Sequence, residues 1–197
     1  MITIIYYVAA SLDGYIATQD GGVDWLASYD TADEDYGYAA FYDSIDGLIE
    51  GSKTYEQALQ FGEWPHPGKP CWVCTRRRFE RKHTEVRFTP AAPRELVSEL
   101  RRRGLRRVWL VGGGRLAASF RAEGLIDEYI VSVIPTWLGA GIPLFGSPGP
   151  PENLKLLGCK PYPSGLVQLR CRRKIKPNAA SNLEQAGETS PTPDHKR

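Results

Sequence analysis

Hydrophobic and polar residues follow two patterns that alternate along the chain. Short runs rich in apolar and β-branched residues have the length of buried strands, and they are predicted at residues 2–10, 47–50, 71–75, 85–88, 107–111, 127–134, 154–160 and 166–172. Segments whose apolar residues recur every three or four positions are predicted to be helices at residues 33–44, 54–61, 93–103 and 115–123. This order predicts an α/β fold, with a mixed, mostly parallel sheet and helices on both faces.

The C-terminal part of the chain departs from this alternation. The last two strands are separated only by a turn rich in proline and glycine, so they are predicted to form an antiparallel hairpin at one edge of the sheet. After Lys176 the sequence turns polar, and Leu183 is its one large apolar residue. One domain over residues 1–176 is therefore expected, followed by a disordered polar tail over residues 177–197.

Composition narrows the class of protein. The chain has 197 residues, of which 42% are hydrophobic and 24% charged, as expected for one globular domain. The apolar N-terminal segment has no basic residue before it and is followed closely by the charged residue Asp13. These features indicate a buried strand rather than a signal peptide. No run approaches the roughly 20 apolar residues of a membrane span. We therefore expect a cytoplasmic protein with reduced cysteines and no membrane partner.

Charge is distributed unevenly along the chain. Residues 13–56 hold eleven acidic residues and one lysine, whereas residues 76–107 hold eleven arginines and one lysine against four glutamates. A basic segment of this kind is compatible with nucleic acid, with a solvated helix face, or with a small anion such as a cofactor phosphate. Aromatic residues do not interleave the arginines as a base-stacking surface requires, so no nucleic-acid partner is expected.

Two cysteines in the third predicted strand suggest a metal site at first sight. Residues 70–74, P-C-W-V-C, match half of a zinc deaminase signature. That signature also needs an upstream ligand next to a glutamate, and the one upstream histidine is His66, within a His-Pro-Gly turn. A strand would also place Cys71 and Cys74 on opposite faces. They are therefore expected to be core side chains, and no metal is expected.

Three motifs with anion-binding chemistry follow predicted parallel strands. Gly112-Gly113-Gly114 opens a helix and fits a phosphate-binding turn, but the next strand lacks the acidic end of a Rossmann fingerprint. Residues 51–54, G-S-K-T, offer a hydroxyl and a cation, although a serine helix cap explains them equally well. Arg76 follows another strand, where solvated surface is the alternative. The three motifs would meet at one edge of the sheet, where together they would bind a pyrophosphate and one further phosphate. NADP carries that further phosphate and NAD does not, so the motifs indicate NADP.

Seven segments resemble the dihydrofolate reductase-like superfamily. They are similar to the C-terminal reductase domain family of the bifunctional riboflavin-biosynthesis deaminase-reductases, in a stand-alone form. The segments are ASLDGYIA at 10–17, GSKTYE at 51–56, TRR at 75–77, WLVGGGRL at 109–116, LIDEYIVSVIP at 125–135, GAGIPLF at 139–145 and YPSGLVQLR at 162–170. The resemblance implies the mixed-sheet reductase fold, NADPH as cofactor and a homodimer.

The resemblance also assigns roles to individual residues. Those implied to bind the cofactor are Ala10, Gly14, Ile16, Gly51, Ser52, Lys53, Thr54, Thr75, Arg76, Val111, Gly112, Gly113, Gly114, Arg115 and Leu116. Trp25, Tyr36, Ile142 and Pro143 are expected to bind the substrate. Alignment with dihydrofolate reductase places Asp35 where that enzyme has the acidic residue that contacts the substrate. Asp13 is the second catalytic candidate. The alternative for Asp35 is a helix start that the helix dipole favours.

The expected activity is an NADPH-dependent reductase that transfers a hydride to a small heterocyclic or sugar-like substrate. The resemblance implies a reaction like that of 5-amino-6-(5-phosphoribosylamino)uracil reductase. Residues 54–59, T-Y-E-Q-A-L, are instead more similar to dihydrofolate reductase, so pterin reduction is an alternative. A non-catalytic dinucleotide-binding module is the other alternative, because a fold alone does not establish chemistry. Glu50 departs from the resemblance, because it stands where the superfamily usually has an apolar residue before the glycine.

Overall fold

Six parallel strands form most of one eight-stranded sheet in the computed structural model, which describes residues 1–29, 34–147, 149 and 151–174. The strands are β1 (Thr3–Ser11), β2 (Tyr15–Ala17), β3 (Gly47–Gly51), β4 (Cys71–Cys74), β5 (Val86–Thr89), β6 (Arg107–Gly112), β7 (Glu128–Ile134), β8 (Ile142–Pro143), β9 (Leu154–Pro161) and β10 (Val167–Arg173). The order in the large sheet is β5-β4-β3-β6-β1-β7-β10-β9. Within the described residues of this large sheet, only the β7–β10 and β10–β9 pairs are antiparallel. The mostly parallel sheet and its C-terminal hairpin are confirmed.

Helices cover both faces of the sheet, as predicted. They are α1 (Tyr38–Asp43), α2 (Ser52–Ala58), α3 (Pro93–Arg102) and α4 (Gly114–Ala122), with 3-10 turns at Asp24–Tyr29 and Leu59–Phe61. Leu100 of α3 and Phe120 of α4 pack with Ile4 in one core cluster. Phe41 of α1 and Tyr55 of α2 pack with Ile5 in another. Because Ile4 and Ile5 are neighbours in β1, the two clusters lie on opposite faces of the sheet.

Two local features differ from the predicted pattern. Strands β2 and β8, which the sequence pattern did not indicate, form a small antiparallel sheet of their own. Helix α1 begins at Tyr38 and is shorter than the predicted helix over residues 33–44. The reason is the backbone before it: Tyr36 and Gly37 have φ angles of 55° and 78°, in the left-handed region, which a right-handed helix excludes.

Two further sequence expectations concern the tail and the membrane. The predicted disordered tail over residues 177–197 lies outside the described residues. Within the described ranges, no helix has the length and apolar character needed to cross a bilayer.

Candidate functional site

The two glycine-containing motifs lie side by side at the carboxyl edge of the sheet. Strands β3 and β6 are neighbours, and each leads directly into a helix, α2 or α4. A Cβ placed on Gly51 would lie 3.7 Å from the Gly112 carbonyl oxygen, so the two turns are in contact. Helix α4 begins after Gly113, and no side chain of the described residues caps its first turn. Its free N–H groups are therefore available to an anion.

Gly113 and Gly114 lack side chains for different reasons. A Cβ on Gly114 would lie only 2.5 Å from the Pro143 carbonyl oxygen, and Gly146 donates its N–H to Gly114. Gly114 is therefore needed for packing against residues 143–146. Among the described residues, a Cβ on Gly113 would have one neighbour within 4 Å, Thr54 Oγ1 at 3.6 Å. The fold does not require a bare backbone at Gly113, whereas a ligand that approaches this turn does.

The third predicted motif lines a pocket of about 350 Å³ beside α4. Thr75, Arg76 and Leu116, all predicted from the sequence, contribute to its wall. Arg76 has no ion-pair partner among the described residues. Arg77, in contrast, forms a bidentate ion pair with Glu56, with N–O distances of 3.0 and 2.6 Å. Arg76 is therefore the arginine that is available to a phosphate in this pocket.

The same pocket has walls that the sequence reasoning missed. They are residues 89–93, which connect β5 to α3, and Ser119 of α4. A usable indication was present, because Thr89 ends a parallel strand and Pro93 begins a helix, the same position at which the recognised motifs lie.

Asp13 links the loop after β1 to the loop after β7 through hydrogen bonds. Its Oδ1 accepts hydrogen bonds from Ser11 Oγ at 2.6 Å and the Leu138 N–H at 3.2 Å, and its Oδ2 accepts the Gly139 N–H at 2.7 Å. Desolvation raises the pKa of Asp13, but these hydrogen bonds outweigh it, so the pKa is lowered overall. The carboxylate therefore stays ionised and holds the two loops together. Its catalytic role remains a prediction.

The predicted substrate residues fall into two groups. Pro143 pairs with Tyr15, Ile142 pairs with Ala17, and Leu144 donates to the Gly14 carbonyl, so this group lies against the loop that contains Gly14 and Ile16. Trp25 and Tyr36 instead pack in a small cluster with Ala9 and Ile134, near the carboxyl ends of β1 and β7. The Trp25 indole nitrogen is buried there and has no hydrogen-bond partner within the described part of the chain.

Asp35 lies directly before α1 and is exposed. Its Oδ2 accepts the Ala39 N–H at 3.0 Å and its Oδ1 accepts the Gly37 N–H at 2.8 Å. These two hydrogen bonds lower the pKa of Asp35. They are the contacts of a residue at a helix start, and they hold the group as a carboxylate beside the cluster of Trp25 and Tyr36. The substrate-side role of Asp35 remains a prediction.

Comparison with known proteins identifies the family. The family model named RibD C-terminal domain matches residues 64–168, more than half of the chain. The chain belongs to the RibD C-terminal domain family. Its sequence is 36% identical over 159 residues to the uncharacterized protein YwjB of Bacillus subtilis (strain 168), covering 80% of this chain and 91% of YwjB. The resemblance stated from the sequence is thereby confirmed.

Solved structures agree with this membership. A putative riboflavin biosynthesis protein from Shewanella sp. PV-4 is similar with a TM-score of 0.81 and 30% identity, covering 88% of this chain and 100% of that chain. The bifunctional deaminase and 5-amino-6-(5-phosphoribosylamino)uracil reductase of Thermotoga maritima has a TM-score of 0.67 at 14% identity, over 57% of its length, and shares the fold. The family and the fold support an oxidoreductase of the RibD reductase type.

A polar cluster in this RibD-family chain escaped the sequence reasoning. Gln168 Nε2 lies 3.2 Å from Tyr7 Oη, 3.2 Å from the Tyr36 carbonyl oxygen and 3.3 Å from Ser132 Oγ. The partial indication was Ser132, a hydroxyl within an otherwise apolar stretch of β7.

Cys71 and Cys74 lie on opposite faces of β4, as predicted. Cys71 packs in the core cluster that contains Ile5, and Cys74 packs against the cluster that contains Ile4. Both are free thiols. Among the described residues, no group of three or more His, Cys, Asp or Glu side chains is arranged to hold a metal ion.

Glu50, which the sequence left unexplained, is fully buried beside Cys71. Its Oε1 accepts the Cys71 thiol hydrogen at 3.5 Å, and its Oε2 has no hydrogen-bond partner among the residues that the structure describes. Desolvation raises the pKa of Glu50 to about 7, although the thiol hydrogen bond opposes this shift. Glu50 is therefore largely protonated below neutral pH.

We expect Glu50→Gln to change how stability depends on pH. An unfolded chain ionises its glutamates near pH ~4.3, so the folded protein binds an extra proton between that pH and about 7. The free energy of unfolding of the unmodified protein should therefore fall by about 3 kcal/mol as the pH rises through this window to pH 8. In Glu50→Gln the side chain is a neutral amide that does not titrate, so this fall should be absent. Urea unfolding from pH 5 to 8 measures it. The exposed Glu80→Gln variant serves as control, and an unchanged pH dependence in Glu50→Gln would exclude the buried carboxyl as its origin.

Proposed function

We propose that the protein is an NADPH-dependent reductase that transfers a hydride to a carbon of a C=N or C=O bond in a small heterocyclic or sugar-like substrate. The observation that carries this proposal is the pocket beside α4, which is lined by Arg76 and Leu116. Among the described residues Arg76 has no ion-pair partner and no side chain caps the glycine turn at the start of α4, at the same edge of the sheet. A dinucleotide with an additional phosphate has charges that match this arrangement. We place the reaction in the cytoplasm, where the cysteines remain thiols.

Each part of the cofactor has a corresponding group of residues. Gly113 and the first-turn N–H groups of α4 would hold the pyrophosphate, with Thr54 beside them. Thr75 and Arg76 would hold the additional phosphate. The loop that contains Gly14 and Ile16, which Asp13 ties in place, would cover the nicotinamide. When bound, NADPH supplies the hydride, and the protein supplies position and charge.

The substrate class is tested by turnover. The uracil substrate named for the Thermotoga protein is one candidate, and dihydrofolate is the other, because residues 54–59 are more similar to dihydrofolate reductase. NADPH oxidation should be followed at 340 nm with each compound. Steady turnover with one of them is the expected result. Tight NADPH binding without turnover of either would favour a non-catalytic dinucleotide-binding module instead.

We expect Arg76→Ala to reduce the preference for NADPH over NADH about tenfold. The reason is the loss of one charge-assisted contact to the additional phosphate, worth about 1.4 kcal/mol. Fluorescence titration of both cofactors measures the preference. Arg77→Ala is the matched control, because the Arg77 guanidinium already pairs with Glu56. Equal affinities for NADPH and NADH in the unmodified protein would contradict the assignment.

We also propose a homodimer that forms through the edge strand β9. Every residue of β9 is exposed, including Leu154, Leu156 and Leu157, and its outer edge has no neighbour in the described sheet. An exposed apolar edge of this length pairs readily with another strand, and a second copy offers an identical one. Leu156→Glu should shift the protein from dimer to monomer in analytical ultracentrifugation. A monomeric unmodified protein at micromolar concentration would contradict the dimer.

A further inference from the structure

Tyr7 lies level with the glycine turn of the proposed cofactor site. In the parallel pairing of β1 with β6, Tyr6 is opposite Leu110, so Tyr7 comes level with Val111, the residue directly before Gly112. Tyr7 and Val111 both pack against the core cluster on the α1 face. Tyr7 is therefore on the face that carries α1, level with the carboxyl end of β6 and the glycine turn of the proposed site.

Three strands hold the Tyr7 hydroxyl in place. Ala9 of β1 pairs with Ser132 of β7, which in turn pairs with Gln168 of β10, so the register of the sheet brings these side chains together. Gln168 donates from Nε2 to Tyr7 Oη at 3.2 Å, and its amide is also held by the Tyr36 carbonyl. Because the amide nitrogen only donates, Tyr7 Oη accepts there and keeps its own hydrogen for another group.

The surroundings favour a protonated tyrosine that is aligned as a donor. Desolvation raises the pKa of Tyr7, the hydrogen bonds from Gln168 and Ser132 lower it, and the charges of Tyr162 and Asp35 raise it, with a raised pKa as the result. Asp35 is poorly suited to donate a proton itself, since both of its oxygens accept backbone N–H groups and its pKa is lowered. Its negative charge instead helps to keep the proton on Tyr7.

We propose that Tyr7 donates the proton that completes the reduction, with Ser132 and Gln168 as positioning residues. This inference rests on the proposed function. The substrate carbon receives a hydride from the nicotinamide, which is oxidised, and the π electrons of the C=N or C=O bond move to the heteroatom. The heteroatom takes the proton from Tyr7 Oη as the O–H bond breaks. The tyrosinate then regains a proton from water, so that one NADPH and one proton are consumed per turnover.

The first experiment compares Tyr7→Phe with the unmodified protein, using 5-amino-6-(5-phosphoribosylamino)uracil and dihydrofolate as probes. Turnover should fall about 100-fold, the usual contribution of a positioned proton donor, while NADPH affinity stays within about twofold. Tyr42→Phe is the matched control, because Tyr42 is also half-buried on this face and its hydroxyl donates to the Pro67 carbonyl. Ser132→Ala should lower kcat about tenfold without changing the KM for NADPH. If Tyr7→Phe does not fold, this second variant tests the proposal in its place.

The second readout does not depend on activity. Tyrosine labelled with ¹³C at Cζ is followed by NMR in the cofactor-free protein, and the Tyr7 and Tyr42 resonances are identified by their absence in the two Phe variants. Adding the probe that is turned over should move the Tyr7 resonance and leave that of Tyr42 unchanged. An unmoved Tyr7 resonance, or a Tyr7→Phe variant with turnover within about threefold of the unmodified protein, overturns the proposal while the reductase function stands. If neither probe is turned over by the unmodified protein, the proposed function fails and this proposal fails with it.

Discussion

Gly113→Val should abolish NADPH binding, with a loss of affinity of at least about 100-fold, while the protein still folds. The two methyl groups would occupy the space through which the pyrophosphate approaches the backbone at the start of α4. The fold should tolerate the change because a Cβ at Gly113 has only Thr54 Oγ1 within 4 Å in the described structure, at an ordinary contact distance. Calorimetric titration with NADPH and a melting curve measure the two quantities.

Two other glycines serve as controls for this variant. A Cβ on Gly158, in the exposed strand β9, meets no atom of the described residues within 4 Å, so Gly158→Val should leave NADPH affinity unchanged. Gly114→Ala should lower the melting temperature, because its Cβ would lie 2.5 Å from the Pro143 carbonyl oxygen. Unchanged NADPH affinity in a folded Gly113→Val variant would place the pyrophosphate site elsewhere.

Asp35→Asn should lower turnover about 100-fold and leave NADPH affinity within about twofold. The carboxylate lies before α1, beside Tyr36 and away from the pocket that contains Arg76, so its loss should affect the substrate side alone. A residue that serves only as a helix start predicts a different result: unchanged chemistry and a loss of at most ~1 kcal/mol in stability. Steady-state kinetics and a melting curve on this one variant distinguish the two roles.

The double variant Tyr7→Phe/Asp35→Asn tests whether both groups act on the same proton. If Asp35 acts through Tyr7, the second change should add less than about threefold to the loss caused by the first, because groups that act as a unit are not additive. Two independent losses that multiply would show that Asp35 contacts the substrate separately from Tyr7.

The edge of the sheet that carries the candidate site was predictable from the sequence. Parallel strands end at one edge, and the residue types after those strands, such as Gly113 and Arg76, have anion-binding chemistry of their own. The start of α1 was not predictable, because Tyr36 adopts a positive φ that a non-glycine residue rarely takes. The position of Gln168 was equally inaccessible, since it meets Tyr7, 161 residues away in the sequence, only through the register of β1, β7 and β10.

The burial of Glu50 has the same origin. Its partner Cys71 lies on the neighbouring strand β4, and the parallel register that sets Leu48 opposite Cys71 brings the two side chains to one face. Local sequence indicates a strand at both positions, but it does not reveal which strands are neighbours. Features that depend on a single residue type were therefore predicted, and those that depend on long-range pairing were found only in the structure.

Thermal unfolding of the unmodified protein with NADPH and with NADH tests the central claim most directly. NADPH at 100 times its dissociation constant adds about 2.7 kcal/mol, which raises the melting temperature of a domain of this size by about 5–10 °C. NADH at the same concentration should give about half that shift if it binds tenfold more weakly. A melting temperature that neither cofactor raises, or that both raise equally, would contradict an NADPH-dependent reductase.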